Sequence, residues 1–432
     1  MGRWSKYNYL FSKEGKNLLY NSLSNSFAEI SDNLCKKIKE NVDRNDIAKK
    51  LEHKEIVDYL IRIKAIVDDD DFEISKIRYA NMCRRFNNKY LNLTINPTLG
   101  CNFACPYCFE GEHVKSPRMT DDVEDAIIQY IKQHECAKLL HVTWFGGEPF
   151  LEFARIKTLT RKMQNLGLVY SASIITNGFL ITANVAKELE SLDIKSVQVT
   201  IDGVKNTHDK RRYLKGGKPT FDIIINNIKQ LVLLSPKTKV SIRVNIDEEN
   251  ERNFVELYNF ISGLHLANVM VYPAFVKDYS DRRLYSCALD ASKQYAFFKK
   301  IYHKYGVKTL QLYPNSFRYE CGVRNLNMVS IGPNGELYKC WSDIGNPEKV
   351  FGSVFGGVYN EKVLMDYLVG ADSFEDPKCK KCLLLPVCSG GCPHDRLHKQ
   401  NGGDDEICPL IKHNIEDYLW LHYLYKIGNG EK

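Results

Sequence analysis

Residues 7–30, YNYLFSKEGKNLLYNSLSNSFAEI, alternate polar and apolar positions, the period of a half-buried strand. The interruption from Lys13 to Lys16 predicts a hairpin turn. Helical spacing follows. SDNLCKKIKENV opens on Ser31 or Asp32 as an N-cap, and HKEIVDYLIRIKAIV repeats its apolar residues every three or four positions. A hairpin with three short helices suits a small winged-helix-like module over residues 1–85. The acidic run Asp68 to Asp71 reads as a solvated loop that closes it.

From residue 89 the pattern becomes strand, loop, helix, repeated. YLNLTIN, LHVTWF, SASIITN, SVQVTI, KVSIRVNI and NVMVYPAF are the candidate strands, separated by amphipathic stretches such as TDDVEDAIIQYIKQH and TANVAKELESL. Six such units in a row predict an α/β fold with a parallel sheet, a partial or full barrel. Functional residues of such barrels sit where strands end. Here a cysteine triplet follows the first strand, GGEP the second, TNG the third and DG the fourth, all on one rim.

At 432 residues the chain is too long for one ordinary core, and two or three domains are expected. The divisions read as 1–85, a barrel at 86–275, a bridging segment at 276–320 and a cysteine-rich domain at 321–432. Hydrophobic content of 44% and charged content of 26% are those of a soluble globular protein. The net charge of +7 is mild and no basic block stands out, which argues against a dedicated nucleic-acid binder. The N-terminus carries no apolar core of a signal peptide, and no run approaches the ~18 apolar residues of a membrane span. A cytoplasmic protein without a membrane partner is expected.

Cysteine changes the picture most. There are 14, and without an export signal a disulfide framework is not expected. Three stand at Cys101-x3-Cys105-x2-Cys108, and seven more lie between residues 321 and 408. Zinc takes four ligands in a closed structural site, and a disulfide would leave one of three thiols over. A [4Fe–4S] cluster held by three thiolates keeps one iron open for something else to bind. The later group runs Cys321, Cys340, then Cys379-x2-Cys382-x5-Cys388-x3-Cys392, and finally Cys408. Its Cys-x2-Cys hook also suits a zinc ribbon, although seven cysteines do not close two four-coordinate sites.

Taken together, these motifs resemble a radical S-adenosylmethionine (radical SAM) enzyme carrying a C-terminal SPASM domain, from about residue 90 onward. The resemblance implies a partial (β/α)6 TIM-type barrel with an N-terminal winged-helix-like module and a C-terminal iron–sulfur SPASM domain. It implies three [4Fe–4S] clusters and S-adenosylmethionine (AdoMet) as cofactors. Cys101, Cys105 and Cys108 would hold the catalytic cluster, which reduces AdoMet to a 5′-deoxyadenosyl radical. Cys379, Cys382, Cys388 and Cys408 would hold one auxiliary cluster. Cys321, Cys340 and Cys392 would hold the other, with Cys287 as a remote fourth ligand or an iron left open to a substrate thiolate. Cofactor contacts are expected from Tyr107, Gly146, Gly147, Glu148, Pro149, Thr176, Asn177, Thr200, Asp202, Arg212, Arg243 and Asn245. The two glycines would let backbone groups approach the methionine ammonium, and Pro149 would start a helix.

SPASM enzymes of this kind act on peptides or proteins, and residues 1–85 resemble a leader-peptide recognition element that adds a strand to its own sheet edge. The expected function is a radical SAM maturase of a ribosomally made precursor peptide, leader and core, closing a thioether or carbon–carbon crosslink. A flavodoxin- or ferredoxin-type reductant would supply electrons. Removing residues 1–85 should then spare AdoMet cleavage without peptide but abolish peptide modification. One alternative is an anaerobic sulfatase-maturating enzyme that forms formylglycine. That branch has an aspartate directly after the equivalent of Cys340, where this chain has Trp341 and places Asp343 two further on. A second alternative is a non-catalytic iron–sulfur protein that binds a leader.

Overall fold

In the computed structural model, which describes residues 2–43, 46–51, 53–108, 117–277, 287–307, 320–403 and 406–428, the chain divides into two units. One comprises Met1–Phe86, Lys308–Asn325 and Tyr367–Lys432; the other comprises Asn87–Val307 and Leu326–Asp366.

In the first unit, β1 (Arg3–Trp4) precedes the predicted hairpin of β2 (Asn8–Lys13) and β3 (Lys16–Asn21). Glu14 and Gly15 form its two-residue turn, both with positive φ, as a tight hairpin turn requires. β4 (Ser26–Ile30) pairs with the other edge of β3, giving a three-stranded antiparallel sheet. Helices α1 (Asp32–Asn41), α2 (Ile47–Lys50) and α3 (Lys54–Arg62) follow, and β5 (Ile66–Val67) returns to pair with β1. Ser31 caps α1 by accepting from the Leu34 N–H.

The acidic run is not a solvated loop. It opens a fourth helix, α4 (Asp70–Arg85). Asp69 accepts from the Asp71 N–H (2.8 Å), while the buried Asp70 carboxylate accepts from Ser5 Oγ (2.6 Å) and the Lys6 N–H (3.0 Å). Carboxylates are favoured at a helix N-terminus, where backbone N–H groups lack partners, and that outweighs the run's own repulsion.

β3 is buried on both faces. Leu18 and Leu19 point to opposite sides of the sheet, and both are fully buried. Leu19 packs with Ile38, Leu60 and Ile66 of the N-terminal segment. Phe11, Leu18 and Tyr20 pack instead against Leu384 and Val387 and against Leu419, Trp420 and Tyr423 of the C-terminal helix Ile415–Gly428. Residues 1–85 therefore share a core with the end of the chain. Their removal would uncover that core.

The second unit is built on six parallel strands: β6 (Tyr90–Ile95), β7 (Leu139–Trp144), β8 (Val169–Thr176), β9 (Ile194–Thr200), β10 (Lys239–Ile246) and β11 (Val269–Phe275). They pair in sequence order, so each crossover joins neighbours. Along β7 and β10 buried apolar residues alternate with half-buried and mostly polar ones, so each strand turns one side to the core. Between them lie α5 (Asp121–Gln133), α6 (Phe153–Gln164), α7 (Ala183–Glu188), α8 (Lys205–Arg211), α9 (Phe221–Leu234) and α10 (Phe254–Gly263). On the far side of β6, β12 (Met328–Ile331) adds in parallel. The antiparallel β13 (Glu336–Tyr338), β14 (Gly352–Ser353) and β15 (Gly357–Val358) then continue the sheet. The result is an α/β core with a C-terminal extension joined to it strand by strand. Of the bridging segment expected at 276–320, residues 278–286 and 308–319 lie outside the described residues; α11 (Ala291–Tyr305) lies between them, capped by Asp290. No helix among the described residues is long and apolar enough to cross a membrane.

Candidate active site

The loop after β6 carries Cys101, Cys105 and Cys108, the first two partly buried and the third exposed. It is held by the turn after β7. Gly146 has φ +113°, and a Cβ there would strike the Thr98 carbonyl oxygen; a Cβ on Gly147 would strike that of Gly100. The Gly147 N–H donates to Thr98 O (3.3 Å) and the Glu148 N–H to Gly100 O (2.9 Å). The immediate reason for two glycines is thus the close passage of the cysteine loop itself. Burial pushes the Cys101 thiol up to about 11 and also raises Cys105. Thiolates at these positions need a cation or metal to offset lost hydration.

Glu148 has no exposed surface. Its carboxylate accepts from the Phe150 N–H (3.0 Å), Thr176 Oγ1 (2.8 Å) and the Asn177 N–H (2.8 Å). It caps a short turn, Pro149–Glu152, in which Pro149 occupies the first position as expected. Burial pushes its carboxyl up to about 7, opposed by those hydrogen bonds. Glu148 therefore ties the end of β7 to the end of β8. Asn177 Nδ2 in turn donates to Asn102 Oδ1 (2.7 Å) and lies 3.9 Å from Cys101 Sγ.

Tyr107, next to the third cysteine, reaches across to β9 and β10. Its hydroxyl donates to the fully buried Asp202 carboxylate and accepts from Arg212 Nη1 (2.6 Å) and Asn245 Nδ2 (3.3 Å). Arg243 Nε donates to Asn245 Oδ1 (2.9 Å), and Thr200 pairs in register with Arg243. Burial raises the Asp202 carboxyl, although the Arg212 charge and the Tyr107 hydrogen bond oppose it. His208 is buried, and its Nδ1 receives the Asp202 N–H (3.3 Å). Burial drives its proton affinity well below the ordinary histidine value, which keeps the ring neutral.

Two residues that the sequence did not single out complete the cluster. Arg211 pairs with the buried Asp247 and lies 3.6 Å from Asp202 Oδ2, its guanidinium 5.0 Å from the Tyr107 ring centre. Asn102 links the cysteine loop to β8. Arg211 stands beside the expected Arg212 in the polar stretch HDKRR, but only the packing of α8 shows which arginine faces which carboxylate. Among the described residues, the buried Arg212 Nε and Asn96 Oδ1 have no hydrogen-bond partner.

The later cysteines divide between the units. Cys379, Cys382, Cys388 and Cys408 line one pocket of the first unit. Cys321 and Cys392 also belong to that unit, and Cys340 to the second. Cys287, in the second unit, lies 3.9 Å from Glu249 Oε1. Trp341 packs against Phe145, the residue before Gly146, with ring centres 5.8 Å apart. Among the described residues, no three His, Cys, Asp or Glu side chains converge closely enough to share one metal ion.

Comparison with known proteins gives this geometry a context. Residues 95–261 match the Radical SAM superfamily. The chain is 24% identical over 363 residues to a cysteine-type anaerobic sulfatase-maturating enzyme of Clostridium novyi, covering 76% of this chain and 95% of that protein. The fold is similar to that of native anSMEcpe with bound AdoMet, with a TM-score of 0.62, 21% identity, and coverage of 78% of this chain and 98% of that one. It is also similar to that of Streptococcus suis SuiB bound to precursor peptide SuiA, with a TM-score of 0.56, 15% identity, and coverage of 94% and 100%. The cysteine loop and the rim that holds it lie within the matched segment. Residues 95–261 carry the radical SAM core of an AdoMet-dependent oxidoreductase.

Proposed function

We propose that the protein uses this core to oxidise a side chain or backbone carbon of a peptide or protein. The observation that carries the reading is the rim itself. One loop bearing three thiols is fixed by Gly146 and Gly147, and Asn177, Asp202, Arg212 and Asn245 surround it. The orphaned Arg212 Nε and Asn96 Oδ1 suit a ligand that carries both an anionic and a cationic group, as the methionine end of AdoMet does. When bound there, a [4Fe–4S] cluster and AdoMet would supply a carbon-centred radical that removes hydrogen from the substrate. The protein's own residues orient the loop, bury the charges and exclude water.

The sulfatase-maturating relatives favour formylglycine formation from a cysteine or serine as the reaction. In this chain Trp341 occupies the position after Cys340, so a proton acceptor would come from elsewhere, with Asp343 two residues on. One observation favours a second reading, thioether or carbon–carbon crosslinking of a precursor peptide: the likeness to SuiB extends over 94% of the chain, against 78% for anSMEcpe. In that reading residues 1–85 form a winged-helix-like leader-binding module before a partial (β/α)6 barrel. Both readings include auxiliary [4Fe–4S] clusters, one of them on Cys379, Cys382, Cys388 and Cys408, and a flavodoxin- or ferredoxin-type reductant.

A single assay separates them. The reconstituted, reduced enzyme is incubated with AdoMet and cysteine- or serine-containing peptides, and the products are treated with a hydrazide. Hydrazide labelling marks the aldehyde of formylglycine. Loss of two hydrogens without labelling marks a crosslink. Release of 5′-deoxyadenosine with no change in any peptide would overturn the peptide reading.

A further inference from the structure

Two cations end their hydrogen bonds on sulfur at the pocket lined by Cys379, Cys382, Cys388 and Cys408. Arg396 Nη2 donates to Cys379 Sγ (3.2 Å), and Lys412 Nζ donates to Cys408 Sγ (3.1 Å). Arg396 is only 4% exposed and is aimed by Asp376 Oδ2 (2.6 Å) and the Gly390 carbonyl (2.8 Å). A buried guanidinium gains little from a neutral thiol but much from a thiolate. The backbone here is also drawn tightly around the sulfurs. Gly390 and Gly391 both have positive φ, and a Cβ on Gly391 would strike the Ile407 carbonyl oxygen, one residue before Cys408. Four thiols around one pocket, charged donors on two of them and a glycine cradle fit an iron–sulfur cluster. Its thiolates stand farther apart than the ligands of a single ion.

We propose that Arg396 and Lys412 donate charged hydrogen bonds to the sulfurs of a cluster held by these four cysteines, and together set its reduction potential. The proposal rests on the reading that the four cysteines carry such a cluster. Reduction adds negative charge to a cluster, so cations and N–H donors at its sulfurs stabilise the reduced form and raise the potential. Asp376 and Glu406 oppose them. Asp376 Oδ1 accepts from the Cys379 N–H (3.2 Å) and Glu406 Oε1 from the Cys408 N–H (3.0 Å). Loss of Arg396 would leave Asp376 uncompensated beside Cys379, so its removal should shift the potential further than loss of Lys412. These are positioning and tuning residues, acting through the metal's ligands.

The test is a redox titration of the full-length reconstituted chain, followed by electron paramagnetic resonance, with iron counted in each sample. Lys412→Gln and Arg396→Gln should each move one cluster signal to a more negative potential, Arg396→Gln further. Lys412→Arg should restore most of the shift. Lys412 is exposed, so its substitution keeps the test available if Arg396→Gln fails to fold. Full iron content with every potential unmoved in Lys412→Gln would overturn the tuning role alone. If Cys379→Ala costs the wild-type chain no iron, the cluster reading falls and the proposal falls with it.

Discussion

The Arg212 guanidinium donates to the Tyr107 hydroxyl at 2.6 Å, and that hydroxyl donates onward to the buried Asp202 carboxylate. The residue beside the third cysteine is thereby locked to β9 and β10, and two buried charges are joined through one neutral group. Tyr107→Phe keeps the ring and removes the link, leaving Asp202 and Arg212 each short of a partner. The expected loss is about 1–3 kcal/mol of folding stability, the cost of buried polar groups left unsatisfied. Urea unfolding of the metal-free protein measures it, and an unchanged midpoint would show that the link carries no weight.

Gly147→Ala should act on the cysteine loop. Its Cβ would meet the Gly100 carbonyl oxygen, backbone that yields only if the loop shifts. A displacement near 1 Å at a reacting centre costs about a hundredfold in rate. AdoMet cleavage to 5′-deoxyadenosine should fall on that scale, while the apo protein's circular dichroism stays close to wild type. Near-normal cleavage would mean that the loop has room to spare.

Glu148 gives a pH dependence. Burial lifts its carboxyl to about 7 in the folded chain, from an ordinary value of 4.5. Between these values the folded chain keeps the proton and the unfolded chain releases it. Stability therefore falls as pH rises through that window, by ~1.4 kcal/mol for each pH unit crossed, and levels off above it. In Glu148→Gln this contribution disappears, so the variant, though weaker overall, should show a flatter profile between about pH 5 and 8. Parallel slopes for the two proteins in thermal melts would contradict the assignment.

Leu18 tests the shared core of the first unit. It is fully buried against residues of the C-terminal helix, and Leu18→Ala should cost about 2–5 kcal/mol. Trp420 lies in the same cluster, so its fluorescence should report the earlier unfolding directly. A shift in the N-terminal segment alone, with the Trp420 signal unmoved, would show that the two ends fold independently.

Local pattern alone determined a good deal of this. The hairpin at Lys13–Lys16, the six parallel strands and the Ser31 cap follow from periodicity and short-range hydrogen bonding, which involve residues close in sequence. The cysteine triplet and GGEP were legible because their chemistry is carried by residue type and spacing. What the chain could not declare is which distant groups meet. The acidic run Asp68 to Asp71 looks solvated until Ser5 and the Lys6 backbone are brought to Asp70. Residues 7–30 read as half-buried strand until Leu18 and Leu19 show β3 covered on both faces. Asp202, Arg212 and Asn245 were expected at a cofactor, but nothing in the sequence joins them to one another or to Arg211. They become one network because parallel strands align their ends, and because charges deprived of water must find one another. Arg396 and Lys412 likewise acquire meaning only where the fold sets them against sulfur, since hydrogen bonding depends on distance in space and not on separation along the chain.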